Sequence, residues 1–304
     1  MLAYIAPGQG AQTPAMLAPW IEDPAAKLLL SQWTHEINLD LVRLGTTADA
    51  EEIKDTANAQ PLIVAAGLLG ARALNSANTF SLVAGHSVGE ITAAALAGVI
   101  SDIDAMKLVR ARGIEMAKAA AVKPAGMAAV LGGDREVVLR AIADLGLVAA
   151  NDNGAGQIVA AGDLDALAQL APEGARVRAL AVAGAFHTSY MEPAVAPLRA
   201  LAASIEVHDA KCGVISNKDG AVIRDGREIL DRIVAQISNP VRWDLCMTTL
   251  SENVSGALEV PPAGTLVGLL KRAVPIVETF ALKAVADIAL ADEFALRHNQ
   301  EVSN

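Results

Sequence analysis

The sequence predicts an α/β protein: a large domain with a mainly parallel sheet, carrying a small inserted domain of the ferredoxin-like kind. Three observations lead there. Short apolar runs alternate with helical periodicity through most of the chain, the pattern of a sheet covered on both faces. Gly85-His86-Ser87-Val88-Gly89 lies between an apolar run and a helical one. Residues 123–189 read as β-α-β-β-α-β, the order of the ferredoxin-like unit. The expected division is 1–122 with 190–304 as the large domain and 123–189 as the small one.

Composition narrows the class. A chain of 304 residues has ample length for a core, and at 53% hydrophobic but 3% aromatic that core is built from Ala, Val, Leu and Ile. The charge-free run 56–71 contains Asn58, Gln60 and Pro61, so it reads as a helix packed in a core rather than a membrane span. The start, Met1 to Pro7, has no basic region, which argues against a signal peptide. Cys212 and Cys246 lie far apart in apolar surroundings and are expected as buried free thiols in a reducing cytoplasm. The five histidines, at 35, 86, 187, 208 and 298, show no metal-ligand spacing, so no metal is expected. A net charge of −10 disfavours nucleic acid and anionic membranes as partners.

In chain order, residues 2–6 read as a buried strand ending in Pro7-Gly8-Gln9-Gly10. This is no dinucleotide fingerprint, because the third glycine would fall on Thr13. Gln9, between two glycines at a strand's C-terminal end, is placed to donate its amide into a crevice, or else is a solvated turn residue. Helical periodicity follows to residue 74, with Gln60-Pro61 at the start of one apolar helix. Then comes a strand over 82–84 and a helix over 91–96, with Ser87 at the apex between them. That is the hydrolase-like elbow. Its serine takes a strained backbone, the glycines remove Cβ atoms that would clash, and the helix aims free N–H groups at whatever the serine carries. Ser87 is therefore a candidate nucleophile.

A helix over 102–120 carries the next candidate. At ~100° per residue, Ala105, Leu108, Val109, Met116 and Ala119 fall within about 60° of Arg112, while Lys107 and Arg110 fall on the far side. Arg112 thus faces inward. An inward guanidinium is costly without an anion, and Glu115 one turn on and an anionic ligand both remain open.

In the small domain, strands are expected at 127–131, 147–150, 157–161 and 177–182, with helices over 134–145 and 163–171. Asn151 and Asn153 fall in the loop between the two central strands, as turn residues or ligand contacts. The last strand runs out in Gly184-Ala185-Phe186-His187. A serine nucleophile needs an imidazole in reach. His86 should point away from its neighbour, His35 and His298 sit in exposed or polar stretches, and His187 is favoured over His208. The rest is a strand over 212–216, a helix from 224 to 238, Asn239-Pro240, a helix from Val241, a strand to Val260, and Gly264 to Lys271. The last few residues are expected to fray.

With these segments placed, the chain resembles the malonyl-CoA:acyl carrier protein transacylases, the acyltransferases of bacterial fatty acid synthesis. The resemblance runs from Pro7-Gly-Gln-Gly10 through Gly85-His-Ser-Val-Gly-Glu90, Arg112-Gly113, residues 151–162, Phe186-His187 and Gln236-Ile-Ser-Asn-Pro-Val-Arg-Trp243 to Gly264-Thr-Leu-Val-Gly-Leu-Leu-Lys-Arg272. It implies a Ser87–His187 dyad, with Gln236 orienting the histidine through its side chain or its carbonyl. Gln9 and the Val88 N–H match the oxyanion hole, and Arg112 matches the residue that forks onto the malonyl carboxylate. Phe186 looks like the malonyl-selective form, where methylmalonyl-selective relatives carry a small residue. Met116, His86, Asn151 and Asn153 belong to the substrate pocket on this likeness. It further implies malonyl-CoA as substrate, acyl carrier protein as partner, a malonyl-serine intermediate in a ping-pong cycle, no permanently bound cofactor, a cytoplasmic place and a monomer. A polyketide-synthesis malonyltransferase with another carrier, a serine thioesterase and a non-catalytic acyl-binding protein are the alternatives.

Overall fold

The computed structural model describes residues 1–76 and 79–300; the expected frayed end, 301–304, lies outside them. The chain opens with β1 (Leu2–Ala6), buried throughout. Helices α1 (Pro24–Ile37), α2 (Leu41–Thr46) and α3 (Thr56–Arg72) follow, then β2 (Leu82–Gly85), α4 (Gly89–Leu96) and α5 (Asp102–Val122). The charge-free run 56–71 is α3, with Asp55 accepting the Ala57 N–H at its head. It is buried on nearly every side because α4 and α5 pack against it. Gln60-Pro61 lies in its second turn rather than at its start.

A second group of elements comes next: β3 (Gly126–Gly132), α6 (Arg135–Asp144), β4 (Val148–Asp152), β5 (Gln157–Gly162), α7 (Leu164–Gln169) and β6 (Ala175–Ala179). The chain then gives α8 (Glu192–Ala202), β7 (Gly213–Ile215), β8 (Val222–Ile223), α9 (Gly226–Ala235), β9 (Val241–Arg242) and α10 (Trp243–Asn253). It closes with β10 (Gly256–Glu259), α11 (Thr265–Ala273), β11 (Glu278–Ala281) and α12 (Ile288–Gln300).

Among the described residues the strands form two sheets. The larger has the order β11-β10-β1-β2-β7-β8 and is parallel except where β8 turns back on β7. Its four inner strands, β10, β1, β2 and β7, are buried on both faces: in β1, Leu2, Tyr4 and Ala6 enter one apolar cluster, Ala3 and Ile5 the other. Alternating side chains of one strand thus feed both cores, as a helix-covered parallel sheet requires. Each fully buried Leu or Ile there contributes about 1.5–3 kcal/mol.

The smaller sheet has the order β6-β3-β5-β4-β9. Its first four strands are antiparallel and come from the β-α-β-β-α-β stretch, as expected. The fifth was not expected. Val241 and Arg242, read from the sequence as the start of a helix, extend instead and pair parallel with Asn151 and Asp152, so α10 begins only at Trp243. Two other expectations shift. The strand placed at 177–182 lies at Ala175–Ala179: the Leu180 N–H still donates to the Met127 carbonyl at 2.9 Å, but the chain then turns off the ladder, and Leu180 and Val182 line a cavity. Asn151 stands on β4 itself rather than in the following loop.

Candidate active site

The elbow forms where β2 passes into α4. A Cβ on Gly85 would lie 2.0 Å from the Gly89 carbonyl carbon, and one on Gly89 would lie 2.2 Å from the Ala6 carbonyl oxygen. Only glycine fits at either place, so β1, the turn and α4 meet backbone to backbone. Ser87 itself takes φ +53°, a strained value for a residue with a side chain. Its N–H is held by Asn217 Oδ1 at 2.8 Å. The Val88 amide follows it at the head of α4.

His187 Nε2 lies 2.8 Å from Ser87 Oγ. His208, the competing imidazole, is exposed beside Glu206. His187 stands in the irregular segment after β6, not at a strand end, with φ +62° and its N–H on the Ile237 carbonyl. Its Nδ1 is 2.8 Å from the Gln236 carbonyl oxygen. A carbonyl only accepts, so Nδ1 carries the proton and Nε2 is left to accept from the serine. Of the two ways Gln236 was expected to orient the histidine, the backbone carbonyl is the one present. Burial, then the nearby Arg112 charge, push the His187 pKa down to about 3, so the ring is neutral at ordinary pH.

Arg112 is 1% exposed. The Glu115 alternative is overturned: Glu115 pairs with Lys118 at 2.7 Å on the outer side of α5. Arg112 instead donates from Nη1 to Gln60 Oε1 at 2.7 Å, and from Nη2 to Gln236 Oε1 at 2.9 Å and Ser87 Oγ at 3.3 Å. Burial lowers its pKa to about 10, which still leaves it a cation at neutral pH. A serine oxygen thus has a neutral imidazole on one side and a buried guanidinium on the other. That arrangement suits nucleophilic attack on an acyl group that ends in a carboxylate.

A cavity of about 300 Å³ opens over Ser87, lined by Gln9, Gln60, His86, Met116, Phe186 and His187 among others. Asn151 also faces it from β4, and Asn153 from the loop that follows β4. His86 turns away from Ser87, as expected, and its Nε2 meets Asn153 Oδ1 at 2.8 Å. The Gln9 side chain donates to Thr56 Oγ1 at 3.3 Å and accepts from Gln60 Nε2 at 3.3 Å. Ser87, His187, Gln9, His86, Met116, Phe186, Asn151 and Asn153 thus share one cavity, with Arg112 and Gln236 joined to its wall by hydrogen bonds, whereas His208 lies apart from it.

Three others were missed. Gln60, Glu90 and Asn217 are buried polar residues that bind Arg112, Gln236 and Ser87 respectively. Their signal was weak but real: Gln60 interrupts an apolar helix, and Glu90 is the lone charge in an apolar one. Asn217 looked like an ordinary turn residue. Among the described residues no cluster of metal-ligating side chains occurs, and no helix is long and apolar enough to cross a membrane.

Residues 3–290 match the acyl transferase domain family. A malonyl CoA-acyl carrier protein transacylase of Mycobacterium bovis is 52% identical over 303 residues, covering 97% of this chain and 99% of that protein. The crystal structure of MCAT from Mycobacterium tuberculosis superposes with a TM-score of 0.93 at 51% identity, over 97% of this chain and 99% of that one. A malonyl-transacylase solved in complex with a type II PKS acyl-carrier protein superposes with a TM-score of 0.88 at 30% identity, over 96% and 99%.

Proposed function

The chain belongs to the acyl transferase domain family, and from that premise we propose that it moves a malonyl group from malonyl-CoA to the phosphopantetheine thiol of an acyl carrier protein. One observation carries this reading: Ser87 Oγ is shared by the His187 imidazole at 2.8 Å and the Arg112 guanidinium at 3.3 Å. The first makes the oxygen a nucleophile; the second selects an acyl group with an acid at its far end.

In the cycle, the substrate carboxylate takes up Arg112 and Ser87 Oγ attacks the thioester carbonyl while its proton passes to His187 Nε2. Gln9 and the Val88 N–H stabilise the oxyanion. The tetrahedral species collapses, CoA leaves with the proton from His187, and a malonyl-serine ester remains. The carrier's thiol then gives its proton to His187, attacks the ester and departs as the malonyl thioester, and Ser87 regains its proton. Phe186 and Met116 close the apolar side of the pocket. His86, Asn151 and Asn153 form its polar side, and Gln236 keeps His187 in the tautomer the cycle needs. We assign 1–122 with 190–304 to the catalytic domain and 123–189 to a small domain that roofs the serine. We also place the enzyme in the cytoplasm as a monomer with no permanently bound cofactor.

The test is intact mass after exposure to malonyl-CoA. Wild type should gain one malonyl group, released only when holo carrier protein is added; Ser87→Ala should gain none. Label on Ser87→Ala would remove the nucleophile, and release to water at the same rate without carrier would make the chain a thioesterase. A polyketide carrier is the second reading, favoured by the relative solved with one; comparing the two carriers as acceptors decides between them.

A further inference from the structure

Glu90 takes no part in the cycle above, yet it is a carboxylate 3% exposed, three residues after the nucleophile. Its Oε1 accepts the Asn217 backbone N–H at 2.6 Å and its Oε2 accepts Gln236 Nε2 at 2.5 Å. Both oxygens receive an N–H, the bonding pattern of an ionised carboxylate. At the other end of the same Gln236 amide, the carbonyl oxygen accepts from Arg112. Gln236 therefore spans a buried anion and a buried cation. Turned over, its amide would set N–H against N–H at Arg112 and oxygen against oxygen at Glu90.

Three site groups hang on this arrangement. Arg112 is held beside Ser87 by the Gln236 oxygen. The Gln236 backbone carbonyl holds His187. Asn217, tied to Glu90 by its own N–H, turns its side chain to the Ser87 N–H and to Gln236 Nε2.

We propose that Glu90 is a positioning residue: acting through the Gln236 amide, its buried carboxylate is the resident counter-charge that holds the Arg112 guanidinium beside Ser87 before an anionic substrate arrives. This rests on the role given to Arg112 above. Burial lifts the Glu90 pKa to about 7, against the pull of the Asn217 N–H, Arg112, Gln236 and Arg232. Measurements at pH 8 keep it ionised.

Glu90→Gln has the same shape but a single carbonyl oxygen, so it satisfies Asn217 or Gln236 and opposes the other with its own N–H groups. The experiment is the rate of Ser87 acylation at pH 8 by malonyl-CoA and by acetyl-CoA, for wild type, Glu90→Gln and Arg112→Ala, each checked for a cooperative thermal transition. The malonyl-to-acetyl rate ratio should fall by about tenfold or more in Glu90→Gln, since a small displacement of a substrate-binding group has effects of that order. A role in folding alone would scale both rates together, and a wild-type ratio in Glu90→Gln overturns the proposal. Glu90→Asp keeps the charge and should keep more of the ratio than Glu90→Gln; equal ratios in the two overturn it as well. If Glu90→Gln does not fold, Glu90→Asp decides: a ratio below wild type supports the proposal and an unchanged ratio overturns it. Arg112→Ala separates the two failures. A wild-type ratio there removes the reading of Arg112 and this proposal together, whereas loss there with a wild-type ratio in Glu90→Gln removes only the role of Glu90.

Discussion

His187 is free to accept a proton at ordinary pH because burial keeps its ring neutral. Folded, its pKa is about 3, with burial the largest cause; in an unfolded chain an imidazole titrates near 6.5. Below about 6.5 the unfolded chain takes up a proton that the folded one refuses. The stability tied to this residue is therefore present above that pH and is lost as pH falls towards 3. For catalysis the sign is the same: kcat/KM for acetyl-CoA, which makes no demand on the Glu90–Gln236–Arg112 arrangement, should stay level well below 6.5 on the acid side, measured with a buffer-corrected stopped assay on enzyme shown to be folded. An acid limb centred near 6.5 would mean a solvated imidazole. Phe186 gives a second residue-scale prediction. It lines the cavity beside His187, and Phe186→Ser should raise the kcat/KM for methylmalonyl-CoA relative to malonyl-CoA by the worth of one methyl group, about 1–3 kcal/mol. An unchanged ratio would place the discrimination elsewhere.

At the scale of elements, the turn between β2 and α4 is fixed by backbone contact rather than by side chains. Gly89→Ala puts a Cβ into the Ala6 carbonyl, so it should cost more than about 1 kcal/mol of stability and lower the acylation rate further, because the head of α4 and the Val88 N–H must move. Urea midpoints and acylation rates on the same preparation check both. This element was legible in the sequence because its constraint is local: a strand, two glycines and a helix within a short span suffice to specify it. The inward side of α5 was legible for the same reason. What Arg112 meets there was not, since Gln60 and Gln236 arrive from far along the chain and a helical wheel carries no partner. The end of β6 was misplaced because Leu180 and Val182 are apolar for the cavity's sake, and an apolar run looks the same whether it pairs or lines a wall.

For the whole molecule, the decisive feature is how the small sheet is held over the elbow. β9 joins it from a segment that otherwise belongs with the large sheet's elements, pairing with Asn151 and Asp152. Asp152, buried at 3% exposure, accepts Arg135 at 2.7 Å, while Arg242 pairs with Asp244 at 2.7 Å nearby. A two-residue strand has no sequence signature, so this strap was invisible beforehand. Asp152→Ala should cost roughly 1–3 kcal/mol of stability and raise KM for malonyl-CoA, because Asn151 and Asn153 lose their anchorage; a thermal melt with steady-state kinetics tests it. The site as a whole depends on Arg112 reading the acid end of the acyl group while Ser87 takes its carbonyl. Removing a partner from a buried charge pair costs about 3–5 kcal/mol, which sets the expected scale of selectivity. The most direct measurement is the rate of acyl-enzyme formation, by intact mass, with malonyl-CoA and acetyl-CoA in wild type and Arg112→Ala. The variant should lose malonyl transfer and gain relative acetyl transfer, and a variant that kept the wild-type preference for malonyl-CoA would contradict the account.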